Sequence, residues 1–144
     1  MLRGVDLHIK RGFTTTIFGV SGGGKSTIIK HIIGLLIGDS GKLEIDGIDV
    51  FTAAPDQLMS IRSKVGFLFQ SGALFDSMTV FENVAFPLIE HSDLDPEAIK
   101  KEVNEKLILV GLKPKEVAHL FPHELSGGMR KRAGLARTII TNPK

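Results

Sequence analysis

Residues 19–26 read GVSGGGKS and constrain the chain more tightly than any other stretch, because they satisfy G-x-x-x-x-G-K-[ST] with Gly19, Gly24, Lys25 and Ser26 in the fixed positions. Polyphosphate oxygens have to be met by several backbone N–H groups at once, and glycines let the backbone curl into a concave nest without Cβ clashes. A helix following the loop adds about half a positive charge and unpaired N–H donors at its N-terminus. Lys25 supplies a full charge between the β- and γ-phosphates, and the Ser26 hydroxyl is placed for Mg²⁺. The candidate phosphate-binding residues are Gly19, Val20, Ser21, Gly22, Gly23, Gly24, Lys25, Ser26 and Thr27.

A glycine-rich hairpin would match the same letters, so the flanks decide. Phe13–Phe18 (FTTTIF) is β-branched and aromatic and predicts a strand running into the loop, while Lys25–Leu36 has the length and composition of a helix. That is the setting the motif requires. A dinucleotide-binding reading fails, since its fingerprint has no lysine-serine pair and wants an acidic ribose anchor after a second strand. ATP or GTP is the ligand class. The helix is apolar on most faces (Ile28, Ile29, Ile32, Ile33, Leu35, Leu36), which predicts burial between layers, with His31 as a core or interlayer side chain.

Elsewhere, Val5, Leu7 and Ile9 alternate with polar residues as in a half-buried strand, and Lys10-Arg11-Gly12 reads as a turn. Gly38–Gly41 and Asp46-Gly47 bracket a short strand, Lys42–Ile45. Pro55 suits a first helical position, and Val65–Phe69 (VGFLF) predicts a buried strand ending at Gln70. The remainder is mainly helical. Thr79 and Glu82 have capping-box spacing at the head of Val80–Leu88. Asp95-Pro96-Glu97 opens a helix with Ile99, Val103 and Leu107 on one face, and Gly111 stops it. A last helix is predicted from Ser126 to Thr141.

The chain has 144 residues, 42% hydrophobic and 24% charged, a globular balance in which roughly 70% of the unfolded surface is buried at this length. It contains no cysteine, which excludes disulfides and thiolate chemistry. A net charge of +2 is too slight to argue for nucleic acid. No secretory signal follows Met1, and the most apolar stretch, Ile28–Ile37, falls short of the roughly 20 residues of a membrane span. His119 and His123 are four apart, but Pro122 lies between them and no third metal ligand is evident. Arg130-Lys131-Arg132, without interleaved aromatics, reads as a solvated or partner-facing helix surface.

Leu125-Ser126-Gly127-Gly128-Met129 opens the last helix; Ser126 can cap it, and the glycines leave its N-terminus bare enough for a phosphate to approach. Taken alone, this is an ordinary capped helix. Together, the phosphate loop, the glutamine ending a strand and LSGG at a helix start resemble the nucleotide-binding domain of ATP-binding cassette (ABC) transporters. The likeness covers essentially the whole chain. It implies an α/β P-loop NTPase core with a small antiparallel β part and an inserted helical subdomain. The β part and core would occupy about 1–75, the helical subdomain and signature helix about 76–135.

The resemblance also implies roles. Lys25 and Gln70 would be catalytic, Ser26 and Gln70 would hold Mg²⁺, and Ser126, Gly127 and Gly128 would close on the γ-phosphate of ATP bound by a second subunit. The dimer would be head-to-tail, cytoplasmic and peripheral on the inner face of the cell membrane, coupled to an integral-membrane permease. Met129 departs from the glutamine usual in the family, which removes one polar group. A narrower resemblance, carried by Phe69–Phe75 (FQSGALF), Val80–Ala85, Pro87-Leu88 and LSGGM, is to the ATPase subunits of Mla/Mce-type lipid transporters. It implies a phospholipid or related lipid as cargo and an Mce-type lipid-binding protein as a further partner, with no nucleic acid. By pattern alone, Phe75, Phe81 and Phe86 read equally well as core residues. A soluble ABC ATPase acting on nucleic acid or ribosomes, and a non-hydrolysing nucleotide-binding fragment, are the other readings.

An ATPase of this class uses an apolar strand ending in Asp, followed by Glu, and these 144 residues contain no such run. In the family that strand follows the LSGG helix, and an adenine-stacking aromatic precedes the first strand. The expectation is a domain cut at both ends that binds phosphate but does not hydrolyse ATP at an appreciable rate by itself. It would also expose unpaired strand edges and apolar surface.

Overall fold

The computed structural model describes residues 2–143, whose contacts divide between Arg62 and Ser63 into two units. In the first unit, α1 (Lys25–Ile32) follows the glycine-rich loop. It stops short of the expected Leu36 because Gly34 turns left-handed at φ 66°. There the Gly34 N–H donates to His31 O at 2.9 Å and the Leu35 N–H to Lys30 O at 2.9 Å, the double bond pattern of a glycine-terminated helix. The positive φ favours glycine there, and a Cβ would also press on the Leu58 side chain, 2.8 Å from its Cδ1. The Arg62 guanidinium donates to the last carbonyls, Ile33 O at 3.2 Å and Gly34 O at 3.0 Å.

Two short strands, β1 (Glu44–Ile45) and β2 (Ile48–Asp49), pair antiparallel with Ile45 opposite Ile48. Asp46 (φ 51°) and Gly47 (φ 80°) form the turn, both left-handed as a two-residue hairpin turn of this hand needs. The expected Lys42–Ile45 strand is thus reduced to its last two residues. α2 (Pro55–Lys64) begins at the proline the sequence offered and buries Ile61; Ile33 and Val50 are also buried in this unit.

Three expected strands are corrected: 5–9, 13–18 and 65–69 are extended or irregular, and none joins a ladder among the described residues. A strand exists only with a hydrogen-bonded partner, and alternation of side chains cannot supply one. Val5, Leu7, Ile9, Phe13 and Phe18 are accordingly exposed. With 5–9 and 13–18 in no ladder, α1 contains no buried residue, contrary to the expected interlayer helix. His31 is half-buried, its Nδ1 2.7 Å from Thr27 O and its ring edge-on to Phe51 at 5.9 Å.

The second unit holds the main core. α3 (Val80–His91), α4 (Pro96–Leu109), the single turn α5 (Pro114–Val117), a 3-10 turn (Pro122–Glu124) and α6 (Gly127–Ile139) follow in order. The capping box forms as the sequence predicts: Thr79 Oγ1 accepts the Glu82 N–H at 3.2 Å and Glu82 Oε2 accepts the Thr79 N–H at 2.7 Å. Asp95 Oδ1 accepts the Ala98 N–H at 2.9 Å to start α4, and Gly111 (φ 73°) follows its end. Ile99, Val103 and Leu107 of α4 are buried against Val80, Val84 and Leu88 of α3 and Ala133, Ala136 and Ile140 around α6. The expected end of the last helix at Thr141 shortens to Ile139.

Candidate functional site

The glycine-rich loop folds as its composition dictates. Gly22 and Gly24 sit at φ 79° and 86°, where a side chain would be strained. The Gly23 N–H donates to Val20 O at 3.1 Å, and a Cβ on Gly23 would lie only 3.0 Å from that same oxygen. The loop therefore closes tightly on itself. Lys25 Nζ donates to Gly19 O at 2.8 Å and to Val20 O at 2.7 Å, which folds the ammonium back over the loop.

Gly24 is the N-cap of α1, no side chain caps that end, and no acid lies in its first turn. A cation and an uncapped helix start then face the same space, the arrangement that attracts an anion. Thr15, Thr16, Ile17, Lys25, Ser26 and Ile29 line a cleft of about 320 Å³. Ser26 is exposed, one residue into the helix. The structure thus brings Gly19, Val20, Ser21, Gly22, Gly23, Gly24, Lys25, Ser26 and Thr27 into one continuous loop and helix start.

Gln70, Ser126, Gly127 and Gly128 belong to the second unit. Gln70 is exposed in a turn closed by the Gly72 N–H to Phe69 O at 2.9 Å, with Gly72 at φ 82°. Ser126 caps α6, its Oγ accepting the Met129 N–H at 3.3 Å, and Gly127 and Gly128 are exposed with open space where a Cβ would be.

The Gln70 turn and the head of α6 are bound together by residues the sequence did not single out. Gly72 packs against α6 so closely that a Cβ on it would be 2.9 Å from Arg130 O, and one on Gly134 would be 2.7 Å from Gly72 Cα. Arg137 Nη2 donates to Gly72 O at 3.2 Å, and its guanidinium lies 5.4 Å from the Phe75 ring centroid. Burial pulls the pKa of this guanidinium down from its ordinary value.

Asn83, fully buried, accepts the Phe75 N–H at 2.7 Å and donates to Phe75 O and Met78 O, both at 3.0 Å. Phe75 itself stays 44% exposed, stacked edgewise on Phe86 at 5.2 Å, while Phe81 packs against the core. At 130–132, Lys131 and Arg132 are exposed and Arg130 is half-buried, and both arginines also bind backbone carbonyls. Arg130 Nη1 donates to Leu125 O at 3.1 Å and to Pro122 O at 3.3 Å, and Arg132 Nη1 to Gly111 O at 2.7 Å. Carbonyls left over at helix ends and turns, absent from any sequence pattern, attract these cations.

Among the described residues no helix is long and apolar enough to cross a membrane, and no group of three or more His, Cys, Asp or Glu is arranged around a metal position.

Residues 2–144 match the family described as ABC transporter. The chain belongs to the ABC transporter ATP-binding family. It is 47% identical over 140 residues to the probable ribonucleotide transport ATP-binding protein mkl of Mycobacterium tuberculosis (strain H37Rv), covering 97% of this chain and 38% of that protein. It is 45% identical over 139 residues to the intermembrane phospholipid transport system ATP-binding protein MlaF of Haemophilus influenzae, covering 96% of this chain and 52% of that one. This ABC chain therefore spans about half the length, or less, of these curated relatives.

Its fold superimposes on the dimeric post-hydrolysis structure of the ATP-binding cassette MJ0796 bound to ADP and Pi, with a TM-score of 0.88 and 36% identity over 95% of this chain and 60% of that one. The α/β P-loop NTPase class read from the sequence stands, and ATP is the ligand of the family. The missing ladders do not contradict it, because the backbone path matches the cassette even where partner strands are not paired.

Proposed function

We propose that this chain binds MgATP through Gly19–Thr27 and serves as the ATP-binding part of an ABC transporter that moves a phospholipid or related lipid through a separate membrane permease. The observation that carries this reading is the Lys25 ammonium held 2.8 Å from Gly19 O and 2.7 Å from Val20 O beside the uncapped start of α1. A triphosphate entering the loop meets N–H donors, a helix dipole and a fixed cation together.

Mg²⁺ keeps most of its waters and takes one or two protein oxygens plus substrate phosphates, and the exposed Ser26 hydroxyl at the start of α1 is an oxygen of that kind. Ser26 would give its hydroxyl and Gln70 its side-chain carbonyl. When bound, Mg²⁺ offsets charge on the β- and γ-phosphates. Lys25 holds the γ-phosphate in place, and Ser126, Gly127 and Gly128 present a second bare helix start to the nucleotide of a partner copy. Binding closes such a head-to-tail dimer and hydrolysis reopens it, the permease following from the cytoplasmic side of the membrane.

Lipid cargo, with an Mce-type lipid-binding protein as further partner, is supported by the FQSGALF loop and by 45% identity to a phospholipid-transport protein. Ribonucleotide cargo is the second reading, favoured by 47% identity to mkl. Calorimetric titration with MgATP tests the binding step: Lys25→Ala is expected to weaken affinity about tenfold or more, the size of a lost charged hydrogen bond. Equal affinities would overturn the site. Phospholipid transfer against ribonucleotide uptake, measured in proteoliposomes holding the transporter, separates the two cargoes.

A further inference from the structure

The Gln70 turn and the Ser126 helix start are joined by an unbroken series of contacts within the second unit. Gly72, two residues after Gln70, rests on the backbone of α6 at Arg130 and Gly134, where neither glycine leaves room for a Cβ. Arg137 fastens this contact from α6 by its bond to Gly72 O at 3.2 Å and its place over Phe75. Asn83 in turn grips both backbone polar groups of Phe75, so the loop is clamped at two points on two helices. At the other end, Arg130, whose carbonyl abuts Gly72, reaches back with its guanidinium to Leu125 O at 3.1 Å, the peptide immediately before Ser126.

We propose that Arg137 and Arg130 are positioning residues that make the Gln70 turn and the Ser126 helix start shift as one piece. Backbone-on-backbone contact between Gly72 and Gly134 is short and stiff, because no flexible side chain lies between to absorb a displacement. A force on the exposed Phe75 loop therefore arrives at Ser126 through Gly72, Arg130 and Leu125, with Arg137 keeping the first joint closed. The functional meaning of this linkage rests on the reading above that Gln70 and Ser126 both serve ATP.

Backbone amides inside the linkage report on it directly. The Gly72 N–H bonds Phe69 O and the Phe75 N–H bonds Asn83, while the Met129 and Arg130 N–H groups both bond Ser126. Amide hydrogen exchange by NMR on the full chain is the test. Arg137→Gln is expected to speed exchange about tenfold at Gly72 and Phe75 and, by a similar factor, at Met129 and Arg130, the effect of losing one charged hydrogen bond. The interior of α4, from Ile99 to Leu107, should be unchanged.

Arg137→Lys, which keeps a cation near Phe75 and a donor for Gly72 O, should restore most of the protection at both ends. Arg130→Gln should loosen Met129 and Arg130 alone. Faster exchange confined to Gly72 and Phe75 in Arg137→Gln would overturn the proposal, as would acceleration spreading through α4 or no rescue by lysine. In the ATP-hydrolysing complex, Arg137→Gln is expected to lower kcat about tenfold with KM for ATP within about twofold, because the phosphate loop is untouched. An equal kcat would overturn the catalytic consequence. A wild-type complex without ATPase activity would defeat the proposed function, and the amide comparison would still decide the linkage.

Discussion

Single side chains fix the local geometry of the Phe75 loop and the head of α3, by satisfying backbone groups that would otherwise be orphaned. Asn83 does this for the Phe75 loop with one acceptor and two donors, so a buried polar residue replaces a missing stretch of regular structure. Thr79 and Glu82 do it for the head of α3. Accepting hydrogen bonds from the Thr79 backbone and hydroxyl favours the ionised carboxylate, and the pKa of Glu82 is lowered. The sign follows: a folded pKa below the unfolded one gives stability that is full above the ordinary glutamate range and is lost as pH falls through the lower folded value. Thr79→Ala is expected to cost about 1 kcal/mol in urea denaturation near neutral pH. It should also flatten the acid-side decline that the wild-type chain shows over that window.

At the scale of elements, α4 is the clearest case of sequence becoming structure. Ile99, Val103 and Leu107 recur every four residues, and all three are buried against α3 and α6. Leu107, with no exposed surface, is among the largest fully enclosed side chains. Leu107→Ala is expected to destabilise the second unit by about 3 kcal/mol in equilibrium denaturation, from lost burial and the cavity left behind. Here periodicity, cap and stop signal all lay within a few residues of one another in the chain. α1 is the counterexample: its apolar run predicted burial, whereas Gly34 and Arg62 determined its end and no residue of it is buried.

At the scale of the whole molecule the two units differ in what stabilises them. The second has a continuous core of three helices, and the first relies on a few residues such as Ile61, Val50 and Ile33. Among the described residues, 5–18 show one backbone turn bond, the Phe13 N–H to Lys10 O at 3.2 Å, and no ladder. In hydrogen-exchange mass spectrometry of this polypeptide, peptides from 5–18 are expected to exchange within seconds. Peptides from α3, α4 and α6 should be slower by about a hundredfold or more. Slow exchange across 5–18 would mean that its backbone groups are paired after all.

The sequence by itself determined what depends on neighbours along the chain. The phosphate loop, the caps at Thr79, Asp95 and Ser126, the turn at Asp46-Gly47 and the α4 stripe each need only residues a few positions apart, so they were legible as letters. Tertiary structure alone decided the rest. Strand pairing is a contact between distant segments, and alternation at 5–9 or 13–18 carries no record of whether a partner is beside it. Gly72 and Gly134 are 62 positions apart, and nothing local marks either as the place where two backbones touch. Nor does the letter pattern of α6 tell which carbonyls its arginines hold, at Gly72, Gly111, Pro122 and Leu125, because those acceptors lie on other turns and helix ends brought beside α6 by the fold.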